Sequence, residues 1–280
     1  MSVNRLPSLF ISHGAPSFAL EPGIAGPALT ALGRALPRPA AVLVVSPHWM
    51  TSTPRVSTAA RQTTIHDFGG FDPALYQITY PVAGHPALAQ RAVEALHASG
   101  FRADPDERRG LDHGAWVPLL HLFPNADVPA FQVSMPGRLD AVSAFKLGRA
   151  LAPLAAEGVL IVGSGSLTHN LEEFFGSRPQ DTAYAGEFAA WVREAVVAGD
   201  HDRLQRALVD APYARRAHPT PEHFWPLLVA AGAADPTRPA SVIEGGITHG
   251  VLSMDSFVFG EVDAAGADAA GTASPVALEH

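Results

Sequence analysis

Three observations predict an α/β fold, a single domain with a central, mostly parallel mixed sheet flanked by helices. Short runs rich in Val, Ile and Phe recur near residues 8–12, 40–46, 129–134 and 158–163. Continuous apolar runs of that length are the signature of strands covered on both faces. Segments of helical period lie between them, and strands alternating with helices imply parallel pairing. Three of the runs also lead into Gly/Pro/Ser-rich turns that carry a histidine, at the strand ends where open α/β sheets bind ligands.

In chain order, the first run passes through Phe10-Ile11-Ser12-His13-Gly14 and precedes a helical pattern over 26–36. The second ends in Val44-Val45-Ser46-Pro47-His48-Trp49. Residues 51–84 resist a regular assignment, as do residues 101–113, which end at Gly110-Leu111-Asp112-His113-Gly114-Ala115-Trp116. Long aromatic, Gly-rich loops inside a compact domain are more often functional than idle. His85-Pro86 opens a helix over 85–99, with Pro at its first position and Gly100 as its stop. A helix over 114–122, the strand near 129–134 and a helix over 139–156 stopped at Gly158 follow. The strand at 158–163 then leads through Gly163 to Thr168 and His169. Helical patterns cover 183–198, 201–209 and 221–233, the last opened by Pro221-Glu222-His223-Phe224. Runs at 241–244 and 250–259 read as later strands, the second a hairpin arm at a sheet edge. The motifs are dense from 8 to 260 with no linker, so residues 1–262 are expected to form one domain. Residues 263–280 are Ala/Gly/Asp-rich and aperiodic, the composition of a disordered tail. Its last residues, Leu278-Glu279-His280, resemble a tag remnant.

Composition narrows the function classes. The chain has 280 residues, 47% of them hydrophobic, enough for one large core. A formal charge of −8 and the lack of a Lys/Arg block argue against nucleic acid or an anionic membrane as partner. With no cysteine, disulfides, iron–sulfur clusters and thiolate zinc sites are excluded. A His/carboxylate site suits Zn, Fe, Cu or Ni instead. Neither a signal-peptide pattern nor an apolar run near membrane-span length is present, so a cytoplasmic location is expected.

Neutral imidazole is the commonest metal ligand. A buried histidine bonded to a carbonyl explains His13, His48 or His169 taken singly, and an N-cap at Thr220 explains the segment around His223. Two histidines at neighbouring parallel strand ends are harder to dismiss. No H-x-H or H-E-x-x-H spacing occurs, so spacing alone is a weak signal. His113, on a loop-to-helix turn after Asp112, suits either a general acid/base or a plain Asp-His-Gly turn. His66 and His218 are weaker candidates for a pocket wall.

Taken together these segments resemble the class III extradiol ring-cleaving dioxygenases, in particular the DOPA 4,5-dioxygenase group. The matching segments are Ser12-His13-Gly14-Ala15-Pro16, Val45-Ser46-Pro47-His48-Trp49 and Ile65-His66-Asp67-Phe68-Gly69-Gly70-Phe71. They continue with Leu111-Asp112-His113-Gly114-Ala115-Trp116, Gly163-Ser164-Gly165, Thr168-His169-Asn170 and His218-Pro219-Thr220-Pro221-Glu222-His223. No one motif is decisive, but together they run in order along nearly the whole chain. The resemblance implies that His13, His48 and His223 bind the metal, that His169 is a fourth ligand or a substrate contact, and that His113 is the acid/base residue. It further implies Fe(II) for activity, with Zn able to occupy the site as purified, and a small catechol and O2 as partners. Many class III enzymes complete their triad with a glutamate, whereas here His223 occupies that place beside Glu222. His66, His218, Trp49 and Phe71 are the expected substrate contacts, with Phe68 and Tyr76 as further ring-packing candidates. L-DOPA is the first substrate implied, opened at its 4,5 bond to a seco-DOPA that cyclises to betalamic acid. The rivals are another catechol such as caffeate or protocatechuate, a zinc-dependent hydrolase, and a non-catalytic binding module of the Memo type. Oligomeric state has no sequence signal.

Overall fold

Runs buried on both faces must become interior strands, and the four apolar runs do. The computed structural model describes residues 5–176 and 182–262, so the tail expected at 263–280 lies outside the described residues. Its strands are β1 (Ser8–Ser12), β2 (Ala41–Thr51), β3 (Arg55–Ser57), β4 (Asp104–Asp106), β5 (Ala130–Pro136), β6 (Val159–Gly165), β7 (Ala240–Ile243), β8 (Ile247–Thr248), β9 (Leu252–Ser253) and β10 (Ser256–Phe259). Eight form one sheet in the order β4-β3-β5-β2-β6-β1-β10-β7, while β8 and β9 pair separately. The central strands β5, β2, β6 and β1 are mutually parallel. β10 runs antiparallel to both neighbours, and β3 antiparallel to β5. Leu9, Val42–Val45 and Val159–Val162 are buried to within 1% of full exclusion, the core of a sheet covered on both faces.

The helices are α1 (Ala25–Ala35), α2 (Pro86–Ala98), α3 (His113–Leu122), α4 (Ala141–Leu151), α5 (Leu171–Phe174), α6 (Ala183–Val197), α7 (His201–Gln205), α8 (Ala207–Asp210), α9 (Ala214–Ala217) and α10 (Trp225–Ala233). Every residue of α10 is buried, and the helix packs on β6 and α4. Among the described residues no helix is long and apolar enough to cross a membrane.

Four local expectations are corrected. β10 is not an edge arm but lies between β1 and β7, because Phe257, Val258 and Phe259 are all buried and only β7 has the partly exposed residues an edge tolerates. The 139–156 helix ends at Leu151 and continues as a tighter turn over Ala152–Glu157, where Pro153 removes a helical donor. The 201–209 pattern splits at Arg206 into α7 and α8. The last long helix starts at Trp225, which leaves His223 in the turn before it.

β2 also runs past Pro47 to Thr51, so His48 lies on a strand instead of beyond one. Its register against β5 shifts between Val45 and Met50. Pro47 has no N–H for the ladder, and the N–H of His48 donates to Ser46 Oγ at 3.2 Å.

Candidate metal centre and active-site cavity

Parallel pairing brings the C-terminal halves of β1, β2 and β6 to one side of the sheet. His13 follows β1 directly, and its N–H donates to Gly165 O at 2.8 Å. On β6, alternation separates Ser164 from its glycine neighbours. Ser164 Oγ meets His13 Nδ1 at 2.9 Å. Gly165 faces the turn before α10, where a Cβ would stand 2.3 Å from His223 O. Only glycine lets that turn lie against the strand, and the N–H of Ser166 then donates to His223 O at 3.0 Å.

The rings of His13, His48 and His223 form a near-equilateral triangle, with centroids 5.2, 5.6 and 5.1 Å apart. Two are hydrogen-bonded at Nδ1, His13 to Ser164 Oγ and His223 to Glu222 Oε1 at 3.2 Å, while Asp67 Oδ2 faces His48 Nδ1 from 3.6 Å. Such partners orient metal-binding imidazoles and leave Nε2 for the ion. The Nε2 atoms of His13 and His48 are 3.2 Å apart. Two nitrogens bound at about 2.0–2.1 Å and subtending roughly 90–110° would be about 2.9–3.4 Å apart. The donor set therefore fits a first-row transition metal. Burial, followed by the neighbouring imidazoles, holds His13 and His223 well below the ordinary histidine pKa. Burial and His113 bring His48 down to about 4 against the pull of Asp112 and Asp67. These rings are neutral at pH 7, the form that binds metal.

His113 is the first residue of α3. Asp67 Oδ1 accepts from both its N–H at 2.9 Å and its Nδ1 at 3.0 Å. A carboxylate at Nδ1 places the proton there and leaves Nε2 as the basic atom. Burial raises the pKa of Asp67, but the bonds and charge of His113 outweigh it, and Asp67 settles at about 2. The His113 ring lies 3.9 Å from that of His48 and 5.4 Å from that of His13. Ligand atoms of His13, His48 and His113 come within 4.8 Å of one another, as do those of His169, Glu222 and His223.

His169 stacks on His223 with centroids 3.5 Å apart and planes 11° from parallel. An imidazole lone pair lies in its ring plane, so one ion cannot lie in both planes at that spacing. Burial brings His169 to about 4.

A buried polar cluster supports this floor from behind. Asp112 Oδ2 accepts from Arg109 Nη2 at 2.8 Å and from Gln132 Nε2 at 2.9 Å, and Arg109 also donates to His48 O at 3.2 Å. Gly114 lets α3 approach β2, since a Cβ there would lie 2.3 Å from Ser46 Oγ and 3.0 Å from His48 Cδ2. Gly114→Ala is therefore expected to displace the His48 ring and weaken metal affinity about 10–100-fold, the range for lost supporting contacts. Metal titration followed by calorimetry checks this.

A cavity of about 190 Å³ opens over His48, His113, His169 and His223. Its walls are Phe68, Phe71, Leu171, Phe174, Phe175 and Leu252, beside the Gly14–Pro16 loop. The structure thus gathers five of the predicted histidines and Phe71 in one place. It sets the other expected contacts outside the lining. Trp49 lies outside the lining, with the Arg109 guanidinium 5.1 Å over its ring. His66 meets Ile78 O through Nε2 at 2.9 Å and sits behind Phe68. His218 is buried between Phe188 and Phe224, and its Nε2 meets Leu167 O at 2.9 Å. Tyr76 likewise does not line the cavity. Asp67, Ser164, Phe174 and Phe175 are site residues that sequence reasoning did not single out.

Comparison with known proteins agrees with this geometry. Residues 28–259 match the family described as the catalytic LigB subunit of aromatic ring-opening dioxygenase. The chain is 40% identical over 256 residues to a 4,5-DOPA dioxygenase extradiol of Beta vulgaris, covering 90% of this chain and 96% of the relative. It is also 40% identical over 264 residues to a protein of the same name from Escherichia coli K12, covering 93% and 97%. The crystal structure of an uncharacterized protein from E. coli K12 superposes with a TM-score of 0.73 at 34% identity, covering 91% of this chain and all of that one. The chain belongs to the LigB family of aromatic ring-opening dioxygenases, as a metal-dependent extradiol dioxygenase of the 4,5-DOPA dioxygenase type.

Proposed function

We propose that His13, His48 and His223 hold the metal, that His113 is the acid/base, and that the substrate is a catechol opened beside its hydroxyls. The triangle of three rings, with His13 and His223 oriented through Nδ1 and the Nε2 atoms of His13 and His48 3.2 Å apart, carries the ligand assignment. The 3.9 Å contact of His113 on His48 and its two hydrogen bonds to Asp67 favour a proton-moving role for His113 over a place in the triangle. Fe(II) bound there would supply the redox chemistry that joins O2 to the ring, which Zn in the same site lacks.

The chain's own groups do the rest. His113 Nε2 takes a proton from a catechol hydroxyl and returns it as the ring opens, while Asp67 keeps the tautomer and orientation fixed. His169, stacked on His223 and lining the cavity, hydrogen-bonds the substrate. The aromatic walls hold a flat ring and keep water out. Glu222 is engaged with His223 Nδ1 and with Thr220 Oγ1 at 2.9 Å, which argues against its serving as the water-activating base of a hydrolase.

L-DOPA, which the relatives' names specify, is the reference substrate, with 4,5-cleavage giving a seco-DOPA that closes to betalamic acid. Caffeate and protocatechuate complete the panel. Protein reconstituted anaerobically with Fe(II) and given catechol with isotope-labelled O2 is expected to place both labelled atoms in the ring-opened product. One labelled atom on an intact ring, or turnover without O2, overturns the proposal.

A further inference from the structure

Arg109 and Asp112 form a charged pair beneath the cavity floor, and neither lines the cavity. The Asp112 side chain is wholly buried and that of Arg109 is 20% exposed. Asp112 stands at the start of α3, where a carboxylate commonly accepts from the first turn, yet it makes no such bond. Its Oδ2 accepts instead from Arg109 Nη2 at 2.8 Å and from Gln132 Nε2 at 2.9 Å. Gln132, on β5, also accepts the Asp112 N–H through Oε1 at 3.0 Å. A buried charged pair is poorly explained by stability, because desolvation offsets much of its attraction. What it holds in place explains it better.

Each end of the pair reaches a histidine of the site. The Arg109 nitrogen that meets Asp112 also donates to His48 O at 3.2 Å, across 61 residues of chain. Asp112 is bonded directly to His113 through the backbone. The pair thus ties β2 to α3 at the two residues whose rings meet at 3.9 Å. No ladder fixes a helix against a strand, so side-chain bonds of this kind decide where α3 stands along β2.

We infer that Arg109 and Asp112 are positioning residues acting as one unit, which sets the place of His113 relative to His48 and so to the metal. The inference rests on the proposed roles of those two histidines. Position matters there because a general base works only within hydrogen-bond reach of the proton it takes, and a misplacement of about 1 Å can cost about a hundredfold.

The test separates holding the fold from holding the site. Arg109→Met leaves the Asp112 charge buried and unpaired, and is expected to lower the unfolding midpoint of the metal-free protein sharply. Adding Asp112→Asn removes that charge and keeps an acceptor for Gln132, so the midpoint of the double variant is expected to recover. Its function is not. Zn affinity by calorimetry is expected to stay about 10–100-fold weaker. With saturating Fe(II), kcat should be about 10–100-fold lower on the catechol that the unaltered protein opens fastest, with KM little changed. Arg109→Lys keeps a charge for Asp112 without the planar fork, and is expected to fold normally and show both losses. Recovery of Zn affinity and kcat along with the midpoint overturns the inference, and so does Arg109→Lys with unaltered values of both. If His48→Ala and His113→Ala themselves keep metal and turnover, the reading of the site fails and takes this inference with it. If those two variants are crippled and the double variant is not, the positioning role alone falls.

Discussion

Alanine in place of His13, His48 or His223 is expected to strip the metal and abolish ring opening, with circular dichroism unchanged. Each removes one corner of a triangle whose other two nitrogens cannot close a stable site. The contrast with supporting residues makes this sharp. Ser164→Ala and Glu222→Ala remove the Nδ1 partners of His13 and His223, and are expected to weaken metal affinity about 10–100-fold without abolishing it. Metal content after gel filtration, read by mass spectrometry, separates the two classes. If His113→Ala loses the metal while His223→Ala retains it, the ion belongs to the alternative cluster of His13, His48 and His113.

The second large effect falls on turnover alone. His113→Ala and His113→Gln are expected to keep stoichiometric metal and bind catechol, yet lose roughly 10²–10⁴ in kcat, the usual scale for a positioned acid/base. Asp67→Asn tests the arrangement behind it. An amide keeps an acceptor for the His113 ring but gives up the negative charge that now also faces His48. Turnover should fall by less than in His113→Ala, because the amide oxygen still orients the ring through Nδ1. Metal loss in His113→Ala, or unchanged kcat, would remove the acid/base role.

The parts of the fold legible in the sequence were those with a long enough signal. β1, β2 and β6 are continuous apolar runs, and the turns after them expose His13, between Ser12 and Gly14, and His169, after the Gly163–Ser166 run. Asp67 was hidden for a different reason. It sits between His66 and Phe68, and nothing local marks the carboxylate over its neighbour. Only the pairing of Thr64 with Leu111, two segments that read as irregular loops, carries Asp67 to the start of α3. The same pairing turns His66 back towards Ile78. Phe174 escaped notice because α5 is four residues long, too short to show a period, and Phe175 caps its end. Trp49 follows His48 along β2, which continues to Thr51, and packs under Arg109 outside the cavity lining.

The proposed ligands come from elements far apart along the chain: the end of β1, the second half of β2 and the turn before α10. An ion there ties the first strand, the second strand and the last long helix into one thermodynamic unit. The unfolded chain has no equivalent site, so metal occupancy and global unfolding are linked. A free metal concentration one hundred times Kd adds about 2.7 kcal/mol to the stability of the whole domain. Metal supply is therefore expected to raise the unfolding midpoint of this protein as well as to support ring opening.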